Sequence, residues 1–313
     1  MKVISLNGRS KLRLKKTCAA IGIFDGVHRG HQYLIKHMLA IARRLHARPL
    51  VITFFPHPAH VLRPDLKLGY LTSLEDRFSL LSDLGVALCL VVPFNRSFAQ
   101  IQPEKFIKDI LVKKLGVKAI FVGDDFRFGN DRGGDINLFK ALSQECGYEI
   151  HAVSALKEGR EAISSTRIRQ LVSIGKLKKA ANLLGRDVFV SGKVVKGAQR
   201  GKGLGFPTAN IAYEADILPA RGVYIVQVQI GAKTYPAIAN LGIRPSFENQ
   251  ENKVLLEVHI LDFSKNIYGK HLRIIFLKKL RNEKKFQNPQ QLIRQIQKDE
   301  SLARKYFKTV SCD

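Results

Sequence analysis

From Thr17 to Val153, apolar runs of strand length alternate with segments whose apolar residues recur every three or four positions. TCAAIGIF is the first run; PLVITFF, VALCLVVPF, VKAIFVG and YEIHAV follow. Between the first two, HQYLIKHMLAIARRLHA carries Leu34, Ile35, Met38, Leu39, Ala42 and Leu45 at helical spacing. SLEDRFSLLSDLG predicts a capped helix, with Ser73 as N-cap, Asp76 three residues on and Gly85 closing it. Pro103 and Gly116 bracket PEKFIKDILVKKLG as a first-turn proline and a terminating glycine do. DINLFKALSQECG is the last helix of the series. Five strands alternating with helices predict an α/β fold with a parallel sheet covered on both faces. Ligands of such sheets bind beyond the carboxyl ends of the strands.

Residues 164–185 read as helical, with a break at Gly175. From Asp187 the pattern changes. DVFVSGKVV, GVYIVQVQI, TYPAIANLGI, KVLLEVHILDF and HLRIIFLKKL are β-rich and separated by Gly, Pro and Asn turns, which predicts a small antiparallel barrel or sandwich. NPQQLIRQIQKDESLARKYF then predicts a helix with Asn288 as cap and Pro289 in the first turn. The domain boundary is expected near residues 184–188, dividing the chain into 1–185 and 186–313. No internal repeat or low-complexity tract interrupts this plan.

Composition narrows the class. The 313 residues suffice for two ordinary domains, and 45% hydrophobic with 25% charged residues is a globular balance. No apolar stretch approaches the roughly 18–20 residues of a membrane helix. MKVISLNGRSKLRLKK lacks the apolar core of a secretory signal; a short solvated strand is favoured over a transit peptide. The four cysteines, Cys18, Cys89, Cys146 and Cys312, form no zinc spacing, so a reduced cytoplasmic protein is expected. Lys and Arg number 52 against 26 Asp and Glu, a formal net charge of +26. That excess suits anionic partners such as nucleotides, nucleic acid or a membrane surface, but it is spread along the chain without a basic block.

The first candidate site is GIFDGVHRGHQ (22–32). A strand ends at Phe24, Asp25 and Gly26 make a turn, and a helix begins near Gly30. Free N–H groups at a helix start favour an anion. His28 and His31 flank that start and can aim at one bound group. The same residues could bind a metal, with His57 and His60 as the nearest further ligands, or merely cap the helix. Here the residues carry a resemblance. HxGH after a strand resembles the signature of the nucleotidyltransferase superfamily, and GIFDGVHRGHQ resembles the bacterial FAD synthetase branch. TFFPHP (53–58), GDDFRFG (123–129) and ISSTRIR (163–169) resemble that family's further motifs, in its order.

The resemblance implies adenylyl transfer from ATP to FMN. A phosphomonoester is already largely dianionic at neutral pH, its second pKa being about 6, so no general base is required. The need is for orientation and for neutralised charge at the phosphorus. His28 and His31 are expected to donate to phosphate oxygens. Ser165, Thr166 and Arg169 are expected to hold the triphosphate, and Gly22 and Gly26 to let the backbone approach the nucleotide. Phe24 and Asp25 belong to the same loop. Asp125 is a candidate adenine or ribose contact, and Asp124 a turn former. Two departures from the family pattern stand out. Ala162 replaces a common arginine and Phe55 a common acid; the first change removes a phosphate contact, so adenylylation is expected to be weaker or to lean more on Arg167 and Arg169.

The second candidate site is GKVVKGAQRGKGLGFPTANI (192–211), glycine-rich and followed by PTAN. Glycine-rich turns wrap phosphates, though a plain hairpin turn has the same look. GLGFPTAN resembles the riboflavin kinase signature, with RGVYIVQV, NLGIRPSF and LLEVHILDF following in that family's order. The resemblance therefore extends to the bacterial bifunctional riboflavin kinase/FMN adenylyltransferase family, from about residue 17 to 308. It implies a Rossmann-like nucleotidyltransferase domain followed by a six-stranded antiparallel riboflavin kinase barrel with a C-terminal helix. An alcohol nucleophile needs a proton acceptor. Glu257 matches it, with Asp262 a weaker candidate. Thr208 and Asn210 offer hard oxygens for Mg²⁺. Gly197, Gly203 and Gly205 are expected at the phosphates, Asn240 and Arg244 near the flavin, and Ser246 replaces a usual threonine. Alternation in VLLEVHIL sets Leu255, Glu257 and His259 on one face and Leu256, Val258 and Ile260 on the other.

The expected function is phosphorylation of riboflavin to FMN and adenylylation of FMN to FAD, with ATP as co-substrate and Mg²⁺ serving both steps. The alternatives are a riboflavin kinase whose adenylyltransferase half is impaired, and a basic nucleic-acid-binding protein. The last lacks aromatic stacking platforms, and the chain has no tryptophan. Oligomeric state is left open.

Overall fold

The computed structural model describes residues 1–6, 12–66, 68–197, 203, 205–243 and 254–310. The chain forms two compact units, one of residues 1–70 and 74–165, the other of residues 71–73 and 166–313.

The first unit runs β1 (Lys2–Ser5), β2 (Thr17–Ile21), α1 (Arg29–Arg44), β3 (Arg48–Phe55), α2 (Pro58–Leu62), α3 (Leu74–Asp83), β4 (Leu88–Pro93), α4 (Arg96–Ala99) and α5 (Pro103–Lys105). A π-wound stretch, Phe106–Lys114, continues α5. Then come β5 (Val117–Gly123), α6 (Ile136–Cys146), β6 (Glu149–Val153) and the small hairpin β7 (Lys157–Glu158) and β8 (Glu161–Ala162). The sheet order is β1-β4-β3-β2-β5-β6, with every pairing parallel. The sixth strand is the N-terminal segment, which pairs with β4 at the sheet edge. Both faces are covered, because strand residues alternate between two cores. Ala19, Ile21, Leu50 and Ile52 pack with Phe106, Leu111 and Phe139. Cys18, Ala20, Val51 and Cys89 pack with Leu34, Ile35, Met38 and Leu81. From β2 the chain winds outward through β3 and β4, then returns to β5 on the other side of β2. The carboxyl end of β2 thus lies at the switch point, where doubly wound sheets bind ligands.

Helix α7 (Ser165–Ser173) has its first residue in the first unit and the rest in the second, followed there by α8 (Leu177–Leu184). The second unit continues through β9 (Val188–Val195), β10 (Ala209–Tyr213), β11 (Gly222–Ile230), β12 (Lys233–Ile243), β13 (Val254–Ile260) and β14 (His271–Arg281), and ends in α9 (Pro289–Val310). The six strands close into an antiparallel barrel of order β10-β13-β12-β11-β14-β9, since β14 also pairs with β9. Tyr224, Val226, Val228, Leu256 and Val258 are buried residues of alternating barrel positions. Ala303 of α9 covers Val223, Ile225 and Ile238, with Tyr306 and Phe307 packed against them. Asn288 caps α9 by accepting from the Gln291 N–H at 2.9 Å.

The units divide earlier than the boundary expected at 184–188. Helix α8 presents Leu177, Ala180, Leu183 and Leu184 as a buried face and packs on β9 and β14. Its apolar stripe therefore groups it with the barrel, although its sequence pattern matches the helices before it.

Candidate functional site

In the α/β unit the polar cluster is built on the turn between β2 and α1. His28 is the N-cap of α1, and its Nδ1 accepts from the His31 N–H at 3.3 Å. That contact leaves the proton of a neutral ring on Nε2. The two imidazoles stack, with centroids 3.6 Å apart and planes 19° from parallel. Phe24 closes the group from the edge, 5.2 Å from the His31 ring. Its ring packs against Gly22, where a Cβ would approach it to a tight 3.2 Å. Phe24 is buried, so its part in the site is to shape the turn.

The turn itself is held from below. Phe24, Gly26 and Val27 have φ of 55°, 77° and 38°, a left-handed conformation that costs side-chain-bearing residues on the order of 1 kcal/mol each. Asp25 and Arg77 are 1% and 0% exposed and approach to 3.7 Å. Arg77 also donates to the Ile23 carbonyl at 3.0 Å, which accepts from Thr53 Oγ1 as well. Ser165 Oγ donates to the Asp25 carbonyl at 2.9 Å. The Asp25 carboxylate is thus turned inward as an anchor of the turn. Arg77 is the supporting residue that sequence reasoning passed over. Its signal was a lone arginine on the apolar face of α3, four residues before Leu81.

The remaining expected residues of this half are placed as follows. Thr166 and Arg169 stand in the first two turns of α7. Asp124 and Asp125 are exposed after β5, and the Asp125 carboxylate folds over Gly123. Ala162 is exposed on β8. Phe55 ends β3 and stacks on Tyr70 at 5.8 Å. His57 caps α2, accepting from the Ala59 N–H, while a His60 ring nitrogen contacts the Leu68 carbonyl. Among the described residues no group of three or more His, Cys, Asp or Glu is arranged to hold a metal ion.

In the barrel unit, strand register does the assembling. Glu257 on β13 is paired with Asn210 on β10 and with Asn240 on β12, so the three stand in one row. Their strand neighbours Ile211, Leu256, Val258, Ala239 and Leu241 are buried inside, which puts the row on the outer face. Gly197 comes so close to Asn210 that a Cβ there would strike the amide. Thr208 is two residues before Asn210 and lines a cavity of about 340 Å³ with Val194, Val258, Ile260, Phe263 and Ile267. The His259 ring donates from Nδ1 to the Pro207 carbonyl at 2.8 Å, fixing the turn before Thr208. Gly205 has φ of 84°, and Gly203 and Gly205 both face open space. Arg244 and Ser246 lie outside the described residues.

Asp262, the weaker base candidate, is engaged elsewhere. Arg304 of α9 grips its carboxylate at 2.7 and 2.8 Å, which holds its pKa below the usual carboxylate range. A carboxylate so paired is a poor proton acceptor.

The FAD synthetase family model matches residues 10–167, and the riboflavin kinase family model matches residues 184–307. Together the two matches define a two-domain transferase of the flavin-nucleotide class. The bifunctional riboflavin kinase/FMN adenylyltransferase of Escherichia coli K12 is 40% identical over 92% of this chain and 91% of that protein. The protein of the same name from Bacillus subtilis is 36% identical over 93% of each chain. A solved structure described as a macrolide-efflux protein from Streptococcus pneumoniae superposes with a TM-score of 0.84, at 31% identity over 96% of this chain and 98% of that one. The chain belongs to the bifunctional riboflavin kinase/FMN adenylyltransferase family. Among the described residues no helix is long and apolar enough to cross a membrane.

Proposed function

We propose that the barrel unit phosphorylates riboflavin to FMN and that the α/β unit joins FMN to the adenylyl group of ATP, giving FAD and pyrophosphate. The observation that carries this reading is that the two clusters lie in separate compact units, His28 and His31 in one and Glu257 in the other.

In the kinase step Glu257 accepts the proton of the ribityl 5′-hydroxyl as its oxygen attacks the γ-phosphorus, and ADP leaves. The cavity beside Thr208 is apolar on one wall and suits the base of ATP. Thr208 and Asn210 fit Mg²⁺, because both offer neutral hard oxygens and Gly197 leaves the main chain close to the Asn210 amide. When bound, Mg²⁺ neutralises charge on the β- and γ-phosphates.

In the adenylyl step the phosphate of FMN is already the nucleophile. His28 offers its Nε2–H to the transferred phosphate because its Nδ1 is committed to the helix cap. Capping and phosphate binding are therefore two uses of one ring. Stacked on it, His31 places a second imidazole within the same first turn, where the helix N-terminus adds its own attraction for an anion. The described cysteines are free thiols, and a reducing cytoplasm suits them.

The test is chromatography of the products formed from riboflavin, ATP and Mg²⁺. FAD is expected. FMN alone would favour a kinase with an impaired adenylyltransferase half, and no flavin product would overturn both readings.

A further inference from the structure

The row of Asn210, Glu257 and Asn240 has a neighbour, Glu283, that none of the sequence motifs supplied. Gly242 follows Asn240 on the same face of β12, two residues on. It is buried, and a Cβ there would strike Glu283 Oε1 and lie 3.3 Å from Asn240 Nδ2. The missing side chain is thus the space in which the Glu283 carboxylate rests, beside the Asn240 amide. Glu283 belongs to the segment after β14, and that segment is clamped. Arg281 grips Asp299 of α9 through Nε at 3.0 Å and Nη2 at 2.7 Å. Its Nη1 donates to the Asn282 carbonyl at 3.1 Å. Arg281 therefore ties this segment to the C-terminal helix, and two residues on the exposed Glu283 lays its carboxylate on the sheet face at Gly242.

The row also has a direction. Glu257 has Asn210 on one side and Asn240 on the other. Of the proposed phosphate-side groups, Asn210 is on β10 and Thr208 immediately precedes that strand, so β12 is the side from which the alcohol must come. An ionised carboxylate only accepts hydrogen bonds, and its ligand there must be a donor. The nucleophile in this reaction is the end of a polyol chain whose other hydroxyls are donors at regular spacing.

We infer that Glu283 is a substrate-positioning residue of the kinase site, accepting hydrogen bonds from ribityl hydroxyls next to the reacting one and selecting a polyol-bearing flavin. The inference rests on the kinase reading of the barrel. Glu283 does not take the reacting proton; it aligns the chain so that the 5′-oxygen meets Glu257.

The experiment is steady-state FMN formation by the full chain carrying Glu283→Gln, with the KM for riboflavin and for ATP measured separately. The KM for riboflavin is expected to rise about tenfold or more, as loss of a charge-assisted hydrogen bond does, while the KM for ATP stays within about twofold. Gly242→Ala, which touches Glu283 without removing it, is expected to raise the riboflavin KM as well. Glu283→Ala combined with Gly242→Ala should be no worse than Glu283→Ala alone. An unchanged riboflavin KM, or a parallel rise in both KM values, overturns the inference. If the unaltered chain makes no FMN at all, the failure lies with the kinase reading instead.

Discussion

In the α/β unit one turn of helix brings the key side chains together, whereas in the barrel three strands must pair in the right register before Asn210, Glu257 and Asn240 meet. The first arrangement is local in sequence, but its turn passes through left-handed backbone at Phe24 and Val27 and leans on a buried ion pair beneath it. The second needs no such turn, yet a one-residue slip of β13 would move Glu257 to the barrel interior. A local site is easily encoded and needs support from below. A register site is encoded by the whole sheet and is supported by it.

Several experiments would break or sharpen this contrast. The largest effect is expected for Glu257→Gln, which should lower FMN formation about 10²–10⁴-fold, the usual range for a general base. FAD formation from supplied FMN should persist; parallel loss of both activities in a folded protein would break the division between units. Arg77→Met should remove the cation beside the buried Asp25 carboxylate and cost the α/β unit about 3–5 kcal/mol. Urea melts should show that unit unfolding first while riboflavin phosphorylation survives. An unchanged midpoint would mean that the turn does not depend on the pair.

A third variant separates the two uses of His28. Asparagine is also a good N-cap, so His28→Asn should hold the melting temperature while FAD formation falls about 10²–10³-fold, as when one preorganised donor to a transition state is lost. Full activity in that variant would reduce the imidazole to a cap. The smallest effect is alkaline. Burial pushes the Cys18 and Cys89 thiols up to about 12, and the Tyr224 hydroxyl of the barrel likewise to about 12. Each folded value lies above its unfolded value, so each contribution is complete below the unfolded pKa and is lost as pH rises toward the folded one. The thiols begin to lose theirs near pH 9 and the tyrosine near pH 10, the ordinary values of these groups. Denaturation midpoints measured from pH 8 to 11 should therefore fall first for the α/β unit. A common onset would exclude the thiols as the cause.

Much of this was legible beforehand, and the reasons differ by residue. The helix start at His28 follows from a strand, a Gly turn and an apolar period, all within a few residues. Glu257 on the outer face follows from alternation in VLLEVHIL. The inward turn of Asp25 was not legible, because its partner Arg77 comes from α3, far along the chain. The commitment of Asp262 to Arg304 was hidden in the same way. The C-terminal helix was expected; its clamp on the segment bearing Glu283 was not.

Local sequence determined the longer helices and strands, the change from helical to alternating pattern near Asp187, and the motifs that mark both sites, because each of these is set by neighbours in the chain; the short strand β10 that carries Asn210 was not among them. Tertiary structure decided which polar residues meet: the row across β10, β13 and β12, the anchor beneath the switch-point turn, the carboxylate resting on Gly242, and the grouping of α8 with the barrel. Those pairings depend on strand register and on packing between distant segments, and neither is written in the spacing of any single motif.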